Sequence, residues 1–217
     1  VWPDANEVGR VWRPDLGIPA SPHEVIKALL KRGAPADGGK RQGWVSGLNK
    51  IHNDLLAKEW ELTPDGVNFA AIVCEVDKHL ADDATITSDA GNFGSFVHRY
   101  IGFRQSQVFL SSIVGAMGSG MPMAVAAAMR RPGTQVVCFI GDGGALMMGN
   151  ELATAIQYGA APIMVISDNS MYGTIGMHSY VRYPERAFMD GTRLTNPDFA
   201  AWARTFGAEG ITIESEE

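Results

Sequence analysis

Gln135-Val136-Val137-Cys138-Phe139-Ile140, followed at once by Gly141-Asp142-Gly143-Gly144, is the most informative run of the 217-residue chain. The apolar, β-branched and aromatic residues predict a strand buried on both faces, and the glycines after it predict a bend where backbone can come close to a ligand. A helix is expected next, from Ala145 to Tyr158. It carries Met148, Leu152, Ala155 and Ile156 on one stripe and ends at Gly159, a candidate C-terminal cap. Amides at such a helix start point outward as an anion site, which suits a phosphate. A second strand, Pro162 to Ser167, then delivers Asp168-Asn169. The interval from Asp142 to Asn169 holds one turn, one helix and one strand of a right-handed crossover, so both side chains belong at the carboxyl edge of parallel strands, where open α/β sheets bind ligands. A carboxylate, an amide oxygen and a backbone carbonyl suit magnesium, a hard cation that shares its coordination with phosphates and water.

Outward from that run, short β-rich segments recur at Ala84–Ser88, Gln107–Ser112, Thr134–Ile140, Pro162–Ser167 and Glu209–Glu214, separated by helix-length stretches. That alternation predicts an α/β fold, a parallel sheet with helices on both faces. Upstream, Ile51, Leu55, Leu56 and Trp60 place a helix over Leu48–Trp60, and a second amphipathic stretch covers Val67–Leu80. Ser21–Leu30 reads as a short helix with Ser21 as N-cap and Pro22 in its first turn. Residues 32–47 are rich in Gly, Pro and charge and read as a linker between a fragment at 1–31 and a main domain at 48–217. The end at Ile211–Glu217 falls where another helix and strand would complete the sheet, so the domain reads as truncated there.

Forty-six per cent of the residues are apolar, which is enough for a substantial core. The net charge of -6 disfavours nucleic acid as a partner. Cys74 and Cys138 each sit in an apolar run and read as buried free thiols rather than a disulfide or a metal site, which fits a reducing cytoplasm. No stretch is long and apolar enough for a membrane span, and Val1–Arg10 lacks the regions of a signal peptide, so no membrane partner is expected.

Gly-Asp-Gly with a closing Asn at this interval resembles the cofactor motif of thiamine-diphosphate enzymes, and the chain is similar to their acetolactate synthase-like group. The resemblance implies the thiamine diphosphate-binding fold, with Asp142 and Asn169 binding Mg2+ through side chains, Met171 binding it through its carbonyl, and Gly141, Gly143 and Gly144 shaping the phosphate site. The family usually has Asn where this chain has Asp168. The Gly-rich segment Ser111–Ala126 resembles the one whose bulky apolar residue props the cofactor into a V shape, here Met117. Thr87–Asn92 resembles the family's Asp-x-Gly-Gln stretch, which implies diphosphate contacts from Gly91 and Asn92, with Asp89 equally suited to capping. Tyr172, Gly173 and Thr174 open a Tyr-Gly-Thr-Ile-x-Met-His pattern that resembles the same group. Its last residue, His178, stands where acetolactate synthases usually carry Trp, and it would face substrate or lie on the surface. No catalytic base can be named in this segment.

Residues 1–30 resemble the end of the family's central domain, so the resemblance covers nearly the whole chain. It implies an intact enzyme that decarboxylates a 2-oxo acid and transfers the acyl anion to an acceptor. It also implies a pyrimidine-binding domain from the same or a partner subunit, a homodimer or homotetramer, and room for an FAD in the central domain. Two other classes stand beside this reading. A nucleotide-binding α/β module would need Gly at position 146, which is Leu146, and Gly115–Pro122 lacks the Lys-Ser/Thr pair of a phosphate-binding P-loop. A catalytically silent scaffold would have no need of Asp142 and Asn169.

Overall fold

The computed structural model describes residues 1–34, 38–56, 63, 66–186 and 189–215, and the chain divides into two compact units, 1–54 and 55–217. In the first unit Trp2 bridges to Pro19, and helix α1 spans Pro22–Arg32. Ser21 Oγ accepts from the Glu24 amide, Pro22 occupies the first turn, and Gly33, at φ 73°, ends the helix, as the N-cap pattern predicts. Helix α2, Gly39–Leu56, begins inside the Gly-rich stretch expected to be a linker. Its described side chains include no buried ones, and only Leu55 and Leu56 at its end are half-buried. The Trp60 end of the expected helix lies outside the described residues.

The second unit is built on four parallel strands, β1 (Thr85–Ser88), β2 (Val108–Ser111), β3 (Val136–Gly141) and β4 (Ile163–Ser167), in the order β2-β1-β3-β4. Every residue of β1 and β3 is buried, while β2 and β4 are the partly exposed edges. Alternation along β3 separates two cores. Val137 and Phe139 join Val73 of α3 (Phe69–His79) and Val97 of α4 (Phe93–Tyr100). Val136, Cys138 and Ile140 join Met121 and Ala124 of α5 (Gly120–Arg130), Ala145 of α6 (Asp142–Met148) and Leu152 of α7 (Glu151–Gln157). Helices therefore cover both faces, as an all-apolar central strand requires.

Two expectations are corrected. The single helix over Ala145–Tyr158 is two, broken at Gly149-Asn150. A Cβ at Gly149 would collide with the Trp202 ring and with the Ala145 carbonyl, so the aromatic of α9 (Phe199–Thr205) packs into the break. Met148 and Ile156 accordingly remain exposed, and Leu152 and Ala155 carry the burial. Gly159 does end α7, at φ 65°, with its amide donating to the Ile156 carbonyl. Residues 209–214 form no strand. Ile211 and Ile213 are exposed, and the Gly210 carbonyl accepts from Arg204 Nη1. A Cβ at Gly210 would collide with the Ala200 backbone, so this run is drawn onto α9, and β-branched alternation alone does not make a strand.

Both cysteines are free thiols, Cys138 fully buried and Cys74 half-buried. Burial pushes the Cys138 thiol up from 9.0 to about 12. An unfolded chain ionises this thiol above pH 9 and the folded chain does not, so the folded state holds one more proton between pH 9 and about 12. Its contribution to stability is complete below pH 9 and is lost as pH rises across that window, with a slope of at most about 1.4 kcal/mol per pH unit. Urea midpoints from pH 8 to pH 10.5 should therefore fall less steeply for Cys138→Ala than for the parent, and the parent thiol should stay inert to disulfide reagents until the chain unfolds.

Candidate functional site

The strand order places a switch point between β1 and β3, since the chain leaves β1 toward β2 and leaves β3 toward β4. Loops that part in opposite directions open a crevice at the carboxyl ends of the two strands. A cavity of about 450 Å³ lies there, lined by Ala90–Phe93 after β1, Gly141–Gly143 after β3, and Ser167, Asn169 and Met171–Met177 at and after β4. Met117, Tyr180 and Met189 complete its wall. That volume is in the range of a small-molecule or cofactor site.

One buried carboxylate shapes the rim beneath it. Asp89, 3% exposed, accepts from the amides of Gly118 at 2.8 Å and Gly120 at 3.1 Å and from Ser119 Oγ at 3.2 Å. A carboxylate that gathers the amides at the head of α5 is stabilised there by charge-assisted hydrogen bonds. The surrounding glycines make room for it. A Cβ on Gly120 would lie 2.8 Å from that of Asp89, a Cβ on Gly144 would collide with Asp89 Oδ2, and Gly118 has φ 85°. Asp89 is thus a cap that holds the Met117 turn against the end of β1, and Gly144 lies off the cavity as a packing glycine.

Gly143 faces the cavity for a different reason. A Cβ there would meet the Tyr172 ring at 2.6 Å and Met117 Cε at 3.3 Å, so these two side chains close over bare backbone. Across the opening, the Asn92 amide donates to Thr174 Oγ1 at 3.1 Å, which ties the loop after β1 to helix α8 (Gly173–Arg182). Gly91, Asn92, Met117, Gly141, Asp142, Gly143, Asn169, Met171, Tyr172, Gly173 and Thr174 all line the one cavity. His178 does not, and is exposed.

The donor set is made of hard oxygens. Asp142 is 3% exposed; its Oδ1 accepts from the Gly143 amide at 2.8 Å and its Oδ2 from Asn196 Nδ2 at 2.8 Å. Asn169 Oδ1 accepts from the Met171 amide at 3.2 Å, and Ser170 between them takes φ 54°, a left-handed turn that Asp168 Oδ1 steadies by accepting from the Ser170 amide at 3.0 Å. The Met171 carbonyl accepts from the Gly173 amide at 2.8 Å. The oxygens of Asp142, Asn169 and Met171 each keep a lone pair beyond the protein partner. Among the described residues no three His, Cys, Asp or Glu side chains converge on a metal position, so the residues fit a hard cation shared with a ligand rather than an all-protein cage.

The sequence reading missed two kinds of residue. Gly176, Met177 and Tyr180 line the cavity from one face of α8. Their helical spacing was readable, but Gly173 and Gly176 hid the helix. Asn196 lies two residues before Asp198, the N-cap of α9, outside the Asp142–Asn169 motif. Its Nδ2 donates both to Asp142 and, at 2.7 Å, to Asp168 Oδ1, while its Oδ1 is buried with no partner. Leaving such an acceptor unpaired costs about 1–3 kcal/mol, so the amide is held by its nitrogen. No local pattern could have tied residue 196 to residue 142.

The family model described as "Thiamine pyrophosphate enzyme, C-terminal TPP binding domain" matches residues 89–217. The chain is 34% identical over 221 residues to an acetolactate synthase large subunit of Parasynechococcus marenigrum, covering 99% of this chain and 34% of that protein. It is 29% identical to an acetolactate synthase of Bacillus subtilis, covering 97% of this chain and 37% of that one. It therefore spans about a third of the length of the curated relatives it matches. A Rhodococcus jostii thiamine diphosphate-dependent 4-hydroxybenzoylformate decarboxylase superposes with a TM-score of 0.66 at 23% identity, over 73% of this chain and 30% of that one, which is a likeness of fold.

Proposed function

Because this chain belongs to the thiamine pyrophosphate enzyme family, as its C-terminal TPP-binding domain, we propose that the cavity between β1 and β3 holds the diphosphate of thiamine diphosphate together with Mg2+. The observation that carries this reading is the convergence of Asp142, Asn169 and Met171 on one cavity at the switch point, beside the glycine backbone that Met117 and Tyr172 overhang. Asp142 and Asn169 would offer side-chain oxygens to the cation and Met171 its carbonyl. The start of α8, with Gly173 and Thr174 on the cavity wall, would offer its positive end to the phosphates.

Thiamine diphosphate, when bound, supplies a nucleophilic carbon and an electron sink suited to decarboxylating a 2-oxo acid. The chain's own residues hold and enclose it. Met117, half-buried on the turn that Asp89 ties down, would support the cofactor rings, and Tyr172, Met177 and Tyr180 would keep water from the reacting end. By its likeness to acetolactate synthases, the whole enzyme would be a decarboxylase or carboligase acting on a small 2-oxo acid. A pyrimidine-binding domain from the same or a partner subunit of a homodimer or homotetramer would complete the site.

Calorimetric titration of thiamine diphosphate into the chain, with and without Mg2+, tests this. Saturable binding that requires Mg2+ is expected. Absent heats under both conditions would instead favour a silent scaffold, and equal heats of binding would remove Mg2+ from the site.

A further inference from the structure

One contact of the Asp142 carboxylate lies away from the cavity. Gly141 pairs with Ser167 in the β3–β4 register, so Asp142 and Asp168 leave neighbouring strands side by side. A single atom, Asn196 Nδ2, lies 2.8 Å from Asp142 Oδ2 and 2.7 Å from Asp168 Oδ1. The two carboxylate oxygens are therefore no farther apart than the sum of those distances. Like charges at such a separation repel, and the only protein donor reaching both in the described residues is this amide. Its two N–H groups can serve one acid each. The reverse orientation would aim Oδ1 at two carboxylates, so the network assigns the nitrogen inward even though Oδ1 is left buried and unpartnered.

Asp168 already has a structural duty, since its Oδ1 also accepts from the Ser170 amide at 3.0 Å and Ser170 Oγ at 3.3 Å, holding the turn that presents Asn169 and Met171. The two acids thus belong to two halves of the site, Asp142 on β3 and the Asn169 turn on β4, and Asn196 joins them. It comes from a third segment. The strand-like run that precedes it is anchored to the same turn, as Leu194 donates its amide to the Ser170 carbonyl at 2.8 Å and Tyr172 donates to the Thr192 carbonyl at 2.7 Å.

We propose that Asn196 is a positioning residue of the cation site, an amide clamp that holds the Asp142 carboxylate in place by neutralising its repulsion from Asp168. This rests on Asp142 being a cation ligand. It goes beyond that assignment because Asn196 neither lines the cavity nor belongs to the Asp142–Asn169 motif. The clamp makes a prediction that a purely structural role does not. Removing the amide should impair the site only while Asp168 keeps its charge, so Asp168→Asn, which drops the charge and keeps an oxygen for the Ser170 turn, should restore what the first substitution takes away.

Mn2+ serves as the probe, its free electron paramagnetic resonance signal being followed during titration of the full chain with saturating thiamine diphosphate. Asn196→Ala should weaken Mn2+ binding about 10- to 100-fold, the range typical of a group that orients a metal ligand. Adding Asp168→Asn to Asn196→Ala should return the affinity to within about 3-fold of Asp168→Asn alone, as expected of coupled neighbours. Circular dichroism of the same samples identifies a variant that has lost its fold, and Asn196→Ser, which keeps one donor, then takes the place of Asn196→Ala. Unchanged or tighter binding in the Asn196 variant, or a double variant no better than it, overturns the clamp. If the parent binds no Mn2+, or if Asp142→Ala binds as the parent does, the cation-site reading fails and the clamp with it.

Discussion

Substitution of Asp142 by Ala is expected to lower the affinity for Mg2+ in the presence of thiamine diphosphate by more than 100-fold, beyond the 10- to 100-fold typical of a group that only supports a ligand. Asp142 is the one carboxylate on the cavity wall among the described residues, and it is almost wholly buried. The two donors to this carboxylate are both neutral, the Gly143 amide and Asn196 Nδ2. A divalent cation would supply the missing positive charge. Removing the carboxylate therefore takes away the ligand while leaving its neighbours able to re-pair, Asn196 still having Asp168. The fold should survive, with a change in stability within about 1–2 kcal/mol. Calorimetry with and without Mg2+ measures the loss, and urea unfolding of the same sample measures the fold. Retention of parental affinity would remove Asp142 from the cation site.

Gly144→Ala should produce the larger loss of stability, about 2–4 kcal/mol, or a fall in Tm of roughly 5–15 °C for a domain of this size. The added Cβ collides with Asp89 Oδ2 and lies 3.1 Å from Ile140 Cγ1 on the buried central strand. Asp89 cannot retreat without releasing the amides of Gly118 and Gly120, two buried donors that no other side chain reaches among the contacts described. Gly143→Ala is the informative comparison. Its Cβ meets the ring of Tyr172 and the end of Met117, which can swing aside, so that variant should lose cofactor affinity with a much smaller change in Tm. Combining Gly144→Ala with Asp89→Ala should be less damaging than the two costs added, because the second substitution opens the space that the first one fills. Thermal unfolding of the parent, Gly143→Ala, Gly144→Ala, Asp89→Ala and the double variant checks both statements. Equal falls in Tm for the two glycine variants would contradict the division of labour between them.

Much of the fold was legible because it depends on local chemistry. The apolar run of β3 could only be a strand covered on both faces, and Gly141-Asp142-Gly143 at its end could only be a bend. The helix start at Ser21 followed from a capping side chain that accepts from an amide three residues on. Where the reading went astray, a distant partner intervened. Trp202 packs into the helix at Gly149, and Gly210 packs against the Ala200 backbone of α9, with its carbonyl accepting from Arg204 rather than from a strand. Asp89 could equally have been a cap or a ligand by sequence; its three donors lie about thirty residues away and make it a cap.

From the amino-acid order alone came the α/β class, the buried strand with its glycine bend, and the pairing of Asp142 with Asn169 one crossover later, since each rests on periodicity, backbone freedom or chain length. Only the tertiary structure decided that β1 and β3 lie side by side with their loops departing in opposite directions, which makes the crevice. It alone also decided that Gly144 serves Asp89 rather than the cavity, that His178 faces outward, and that Asn196 reaches both acids. The physical reason is the same in each case: strand order and the meeting of remote side chains are settled by how the helices bury both faces of the sheet at once, and no window along the chain contains that information.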